Sequence, residues 1–290
     1  MRSRKLGNSG ALIKPYVYIA PAVLLLLLFV YYPFAKTMVL SLSLTSPAGG
    51  FVKWNGMSNY TSMFVSPDFY DMLLVTFKFS IAVLTGSLVA GFFMALLVNS
   101  DRRGYTIFKT VYTLPMAVSS AAIAVVFSFV LHPVNGLLNE ALGTDINWLN
   151  SPKWAMAAVI MVTVWQNASL NYIILLAALK GVDRSLYEAA EVDGAGYWKK
   201  QWMVSLPGVS PTLFFLVIVN AIVAFQAFAQ IHVLTAGGPY NSTGIISYNI
   251  YLDALRKSHF GLAYAQSVFL FVVILAITRI QFYMEKKVSY

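Results

Sequence analysis

The chain has 290 residues, of which 59% are hydrophobic and only 11% charged, and it holds no cysteine. That composition excludes an ordinary soluble domain, and the missing thiols exclude a disulfide framework or a thiolate metal site. A net charge of +9 reads as basic residues marking loops on one side of a membrane rather than as a nucleic-acid footprint.

Six apolar runs approach the ~20 residues a spanning helix needs, and their continuity argues against the ~10-residue alternating segments of a β-barrel. The predicted class is an all-α, polytopic membrane protein with one membrane domain over residues 1–290. The first span is read at about 16–34, with a helical extension to 44. MRSRK ahead of it imitates a signal peptide. The length of the run, Pro21, Pro33 and the lack of a small-residue cleavage site favour a retained span. The remaining spans are read at about 72–99, 108–131, 154–178, 212–234 and 262–282.

Fourteen of the twenty Lys and Arg residues fall on the N-terminal side of the membrane in this reading, including Arg102, Arg103, Lys199 and Lys200. Four fall on the other side, and Lys36 and Lys78 lie within or beside spans near the outer face. The positive-inside rule then puts both termini and the 181–211 segment in the cytosol. The outer loops read as folded caps: 45–71 with SPAGG and Trp54-Asn55-Gly56, and 132–153 with His132-Pro133. Gly237-Gly238-Pro239 turns the chain after the fifth span. Trp54, Trp148 and Trp154 fit an outer aromatic belt, and Trp198 and Trp202 an inner one.

All eleven acidic residues lie outside the six spans. A proton- or sodium-coupled carrier commonly buries a carboxylate near the midplane, so this weighs against the rival reading, a stand-alone secondary carrier or channel. No G-x-x-x-x-G-K-[ST] is present, so this chain does not cradle ATP phosphates, and any driving energy comes from another polypeptide. His132, His232 and His259 are scattered, and no constellation suggests a metal centre or hydrolysis; the chain reads as no enzyme and needs no cofactor.

Between the fourth and fifth spans, Ser185-Leu186-Tyr187-Glu188 has the form of a capping box that opens a helix. Gly194 can close that helix in the left-handed region, and residues 197–205 can form a second short helix stopped near Pro207. Ala189 and Ala190 leave room for another surface, and Glu188 offers it a carboxylate. The alternatives are a docking element or a loop packed on its own bundle.

Glu188-Ala189-Ala190, three residues, Gly194, nine residues, Val204, one residue, Leu206-Pro207 resembles the EAA motif of binding-protein-dependent ABC importer permeases. Only Val204 departs, conservatively, from the usual isoleucine. The likeness extends over nearly the whole chain and includes Tyr32-Pro33, Leu114-Pro115 and Asp193-Gly194-Ala195-Gly196. Within that superfamily the chain is similar to carbohydrate-uptake permeases related to the maltose permease. Thr76-Phe77-Lys78-Phe79-Ser80, Ala265-Gln266-Ser267-Val268 and Gln281-Phe282-Tyr283 resemble the first permease subunits for sn-glycerol-3-phosphate.

The resemblance implies a multi-pass protein of a bacterial cytoplasmic (inner) membrane. It implies a second homologous permease subunit, two ABC ATPase subunits and an extracytoplasmic solute-binding protein as partners, with membrane lipid around them. Glu188, Ala189, Ala190, Asp193, Gly194, Leu206 and Pro207 would couple to the ATPase. The solute pathway would be lined from the spans flanking the loop, by Gln166, Asn167, Asn171, Asn220 and Gln226. Amides suit hydroxyl-rich solutes because each donates and accepts; helix–helix hydrogen bonding is the competing explanation. Asn167 and Asn220 align best as lining. Ala224 and Ala227 stand where maltose permeases carry asparagine, a departure from that sugar site. The solute implied is sn-glycerol-3-phosphate, with a sugar or oligosaccharide as the alternative. Lys78 either attracts a phosphate or snorkels to the interface.

Overall fold

The computed structural model describes residues 9–99 and 105–288, with side chains described for 15–99 and 105–284. Arg2, Arg4, Lys5, Asp101, Arg102 and Arg103 therefore lie outside the described residues, as do the side chains of Lys14, Glu285, Lys286 and Lys287.

Helix α1 (Ser9–Leu26) passes through a π-helical turn at Leu27–Tyr31 into α2 (Tyr32–Ser41). The wide turn sits just ahead of Pro33, whose ring and missing N–H disturb the helical ladder. Residues Pro15–Ser41 are long and apolar enough to span a bilayer, yet the most apolar window of that run is unburied. Toward its C-terminal end, Phe34 meets the Phe271 ring edge-on at 4.8 Å.

The expected helical extension to residue 44 does not form. The helix ends at Ser41, and β1 (Ser43–Thr45) pairs antiparallel with β2 (Phe51–Trp54), Ser43 opposite Trp54 and Thr45 opposite Phe51. The chain is thus mostly helical, with one short two-stranded ribbon. Gly49 turns the ribbon at φ +78°, against the Phe260 ring. The short α3 (Ser58–Val65) completes this cap: Asn59 Nδ2 donates to the carbonyls of Ser41 (2.8 Å) and Ser43 (3.0 Å).

Helix α4 (Pro67–Val98) carries Ser87, Gly91 and Ala95 at four-residue spacing, all buried. Small residues in that register let two membrane helices approach closely. The partner is α8 (Pro152–Lys180); a Cβ on Gly91 would lie 2.5 Å from the Asn171 Cβ.

The third expected span is not one rod. Helix α5 (Tyr105–Ala117) and α6 (Ser120–Val130) meet at 107°. Pro115 removes one ladder bond, Ser119 is extended at ψ 146°, and its side chain caps α6 by accepting from the Ala122 N–H at 3.3 Å. Among the described residues, five helices are therefore long and apolar enough to cross a membrane, or six when the bent pair counts as one.

The loop before α8 holds α7 (Leu137–Leu142), closed by Gly143 at φ +63°. Buried Asn139 organises it, donating to the Pro133 and Ile146 carbonyls at 2.9 Å and accepting from Trp148 Nε1 at 2.8 Å. Trp148 is thereby fixed within this loop.

After α8 come α9 (Arg184–Val192), α10 (Tyr197–Lys200), a π turn at Gln201–Ser205 and α11 (Leu206–Gly208). The fifth expected span is also broken, into α12 (Ser210–Phe225) and α13 (Ala229–Leu234). A tight segment with Gly237 at φ +79° leads to α14 (Ile246–Tyr251), a π turn at Leu252–Arg256 and the last span, α15 (Phe260–Val288). The main core gathers Phe79, Val83, Ile123, Val159, Val162 and Ile231 from α4, α6, α8 and α13. It lies beside the two helix breaks.

Candidate functional site: an exposed helical knob and a cleft at two helix breaks

The 181–211 segment forms two short helices joined at a glycine. Its start differs from the expected capping box: Asp183, not Ser185, is the cap, and its carboxylate accepts the Ser185 N–H at 2.9 Å. That bond holds the Asp183 carboxyl below the usual carboxylate range. Asp183 wins because a carboxylate caps as well as a hydroxyl and also sits at the positive end of the helix. Glu188 is left free to pair with Arg184 one turn back, at 3.2 Å.

The end of α9 is a Schellman motif. Gly194 sits at φ +73°, its N–H bonds to the Glu191 carbonyl at 3.0 Å, and the Ala195 N–H reaches the Ala190 carbonyl at 2.9 Å. Two contacts fold the second helix onto the first, and a third braces the π turn that follows it. Tyr187 OH and Ser205 Oγ are 2.8 Å apart, Ser205 Oγ donates to Gln201 Oε1 at 2.6 Å, and Lys200 pairs with Glu191. The Lys200 hydrogen bond, aided by its charge, lowers the Glu191 pKa from the ordinary carboxylate value.

The helical run does not stop at Pro207. It continues to Gly208 and breaks at Val209, because Pro207 occupies the first turn of α11, where no N–H is needed. Gly208 lets the chain close on Val182, whose Cγ2 would lie 2.8 Å from an added Cβ.

The knob's outer face is unburied. No residue of α9 is buried; Glu188, Ala189, Asp193 and Gly194 are exposed, Ala190 and Leu206 half-buried and Pro207 exposed. A short helix with a large polar surface, fixed at its base and bare on its face, is a rigid projection.

The second feature is a cleft of ≈ 370 Å³ lined by Ser120, Thr163, Asn167, Val223, Gln226, Ala227, Phe228, Ala229 and Gln230. It sits where both broken spans meet α8. Breaking a helix at bilayer depth strands backbone carbonyls, and side chains collect them. Gln166 Nε2 donates to the Val118 carbonyl at 3.1 Å, and Ser247 Oγ donates to the Ala227 carbonyl. Gln166 Oε1 in turn accepts from Gln230 Nε2 at 2.9 Å.

Among the described residues lining the cleft none is charged, and three are amides. Asn167 Nδ2 is buried with no hydrogen-bond partner, a spare donor at the wall. Gln226 is exposed there and Gln230 is buried at its edge. Asn171 and Asn220 face each other instead: their amides exchange bonds of 3.1 and 2.8 Å, and Asn220 also reaches the Leu216 carbonyl at 2.7 Å. Both are buried, and together they tie α8 to α12 away from the cleft lining. Lys78 is exposed on α4 and does not line the cleft. The break at 118–119 and the roles of Gln166 and Ser247 were missed from sequence. The signals were Pro115 and the Ser119-Ser120 pair, a proline and a cap inside an apolar run.

A family model for the "binding-protein-dependent transport system inner membrane component" matches residues 87–290. The chain belongs to this family. Over 281 residues, 95% of each chain, it is 34% identical to the sn-glycerol-3-phosphate transport system permease protein UgpA of Salmonella typhi. The UgpA protein of Shigella flexneri matches to the same extent, 34% over 95% of each chain. Among solved structures, a chain of a bacterial ABC transporter involved in the import of the acidic polysaccharide alginate superposes with a TM-score of 0.84 at 25% identity, covering 96% of this chain and 98% of that one. A chain of the inward-facing MetNI methionine ABC transporter is similar in fold, with a TM-score of 0.52 at 15% identity, covering 76% of this chain and 99% of its own.

The permease reading is therefore secure: this is the membrane-translocating subunit of an ABC importer, a component of the inner membrane and not itself an enzyme. In that family the EAA motif is the segment occupied here by the knob.

Proposed function

We propose that this permease imports sn-glycerol-3-phosphate, forming half of a pathway completed by a second, homologous permease. Two ABC ATPase subunits seat one helical knob each, and an extracytoplasmic binding protein delivers the solute. The N-terminus, the C-terminus and the 181–211 segment face the cytosol, a reading supported by the distribution of Lys and Arg. Glu188, Ala189, Ala190, Asp193 and Gly194 form the docking face; Leu206 and Pro207 connect it to α12. Because the knob is braced internally by Tyr187–Ser205 and Glu191–Lys200, ATP-driven closure of the ATPases moves it as one body.

The observation that carries the substrate is the 34% identity to UgpA proteins over 95% of the chain. Asn167 and Gln226 line the pathway, Gln166 stands behind its wall, and Asn171 with Asn220 clamp α8 to α12. A second reading, a hydroxyl-rich sugar or oligosaccharide, draws support from the uncharged amide lining of the cleft.

The test is a pull-down of the tagged permease from native membranes after brief crosslinking. Recovery of a P-loop ATPase, a second EAA-bearing permease and a binding protein is expected, with that binding protein retaining sn-glycerol-3-phosphate. A captured binding protein specific for an oligosaccharide would replace the substrate, and recovery of the permease alone would remove the assembly.

A further inference from the structure

We infer that Gln166 is a solute-released latch that ties the two broken spans together while the cleft is empty. Both ends of its amide are engaged, each by a different break. Nε2 holds the Val118 carbonyl stranded between α5 and α6, and Oε1 accepts from Gln230 in the first turn of α13, just past the break after α12. One side chain from the middle of α8 thus fixes the relative position of two independent half-helices. Gln230 is the exchangeable member, because it lines the cleft while Gln166 does not. Next to Gln166, Asn167 offers a donor with no partner. The empty cleft therefore holds a buried unused donor on Asn167 beside a donor of Gln230 that is spent on the latch.

The chemistry of the exchange follows. A neutral amide–amide hydrogen bond contributes little net free energy, so Gln230 gives it up readily. An anionic oxygen beside Asn167 is a better acceptor than the Gln166 amide oxygen, because an ionised acceptor makes a distinctly stronger bond. Once Gln230 turns to the solute, the Gln166 Oε1 loses its donor and α13 is no longer tied to the Val118 break. The class of ligand is a small solute bearing an anionic oxygen. The inference rests on the cleft being the pathway, as proposed above, and makes Gln166 a positioning residue that need not touch the solute.

The complete importer, reconstituted in nanodiscs with its partner permease and ATPases, provides the test. ATPase rates are read with empty binding protein and with binding protein loaded with sn-glycerol-3-phosphate. Methionine matches glutamine in size but makes no such bond, so Gln166→Met and Gln230→Met each open the latch without emptying the space. Each is expected to raise the basal rate several-fold and shrink the stimulation by loaded binding protein, and the double variant to do no more than either alone. Wild-type rates in both single variants, multiplied effects in the double variant, or a parallel fall of basal and stimulated rates would each overturn the latch. Gln230→Met leaves the Val118 bond in place and decides alone if Gln166→Met fails to assemble. A wild-type importer unmoved by the loaded binding protein would sink the glycerol-3-phosphate reading, while the basal rates would still decide the latch.

Discussion

Asn167 and Asn220 look alike in sequence, yet their surroundings separate them. Asn167 has a buried, unpartnered nitrogen at the cleft wall. Asn220 is 3% exposed and fully committed to Asn171 and Leu216. Asn167→Leu is expected to raise the KM for solute with assembly intact. Asn220→Leu is expected to leave KM unchanged and cost about 1–2 kcal/mol of stability, because it strands the Asn171 amide in a dry interface. Uptake kinetics paired with thermal unfolding separate the two. Gly194 gives a sharper residue-scale case. Its φ of +73° is open to glycine and closed to proline, whose ring fixes φ near −65°. Gly194→Pro should insert into the membrane normally and lose most ATP-driven uptake, since the knob's two helices no longer meet at the same angle. Measured uptake equal to wild type would show that the joint's geometry does not matter.

At the scale of elements, close packing of α4 on α8 depends on the absence of side chain at position 91. A Cβ there would lie 2.5 Å from the Asn171 Cβ and 3.1 Å from the Ala168 carbonyl oxygen. Both neighbours are rigid, so the helices must separate. Gly91→Ala is expected to destabilise the permease by about 1–3 kcal/mol, the range for overpacking. It should also loosen the Asn171–Asn220 clamp one layer away; a denaturant titration reads the first effect, and hydrogen exchange along α8 the second. The two broken spans illustrate the opposite strategy. There the backbone departs from the helix, and the stranded carbonyls of Val118 and Ala227 are collected by Gln166 and Ser247. Irregular backbone persists at membrane depth only where such partners exist or where it lines a cavity, and both conditions hold here.

For the whole molecule, the first span is the outlier: apolar enough and long enough to cross, and unburied over its most apolar window. Lipid or another chain must cover it, which accords with a subunit that functions inside an assembly. Orientation is testable because the native chain has no cysteine. Introduced one at a time, Asn147→Cys is expected to react with a membrane-impermeant maleimide from outside intact cells. Ser185→Cys is expected to react only after the membrane is opened. The reverse pattern would invert the topology and remove the knob from the cytosolic ATPases.

The sequence by itself determined the class and much of the machinery. Apolar runs near bilayer length specify spanning helices whatever they pack against, since the backbone must satisfy itself in lipid. The EAA spacing and the left-handed glycine are local, so the knob was legible in the order of its residues. Local ambiguity remained even there, as Asp183 displaced Ser185 from the cap. What tertiary structure decided was where the apolar runs break and which amide meets which. Pro115 and Gln226 sit in stretches apolar enough to pass as straight helices, and the bends exist because distant side chains at 166 and 247 satisfy the opened backbone. An amide in a span reads the same whether it lines a pathway or joins two helices. Only the face it presents after folding separates Asn167, with a spare donor in the cleft, from Asn220, with none.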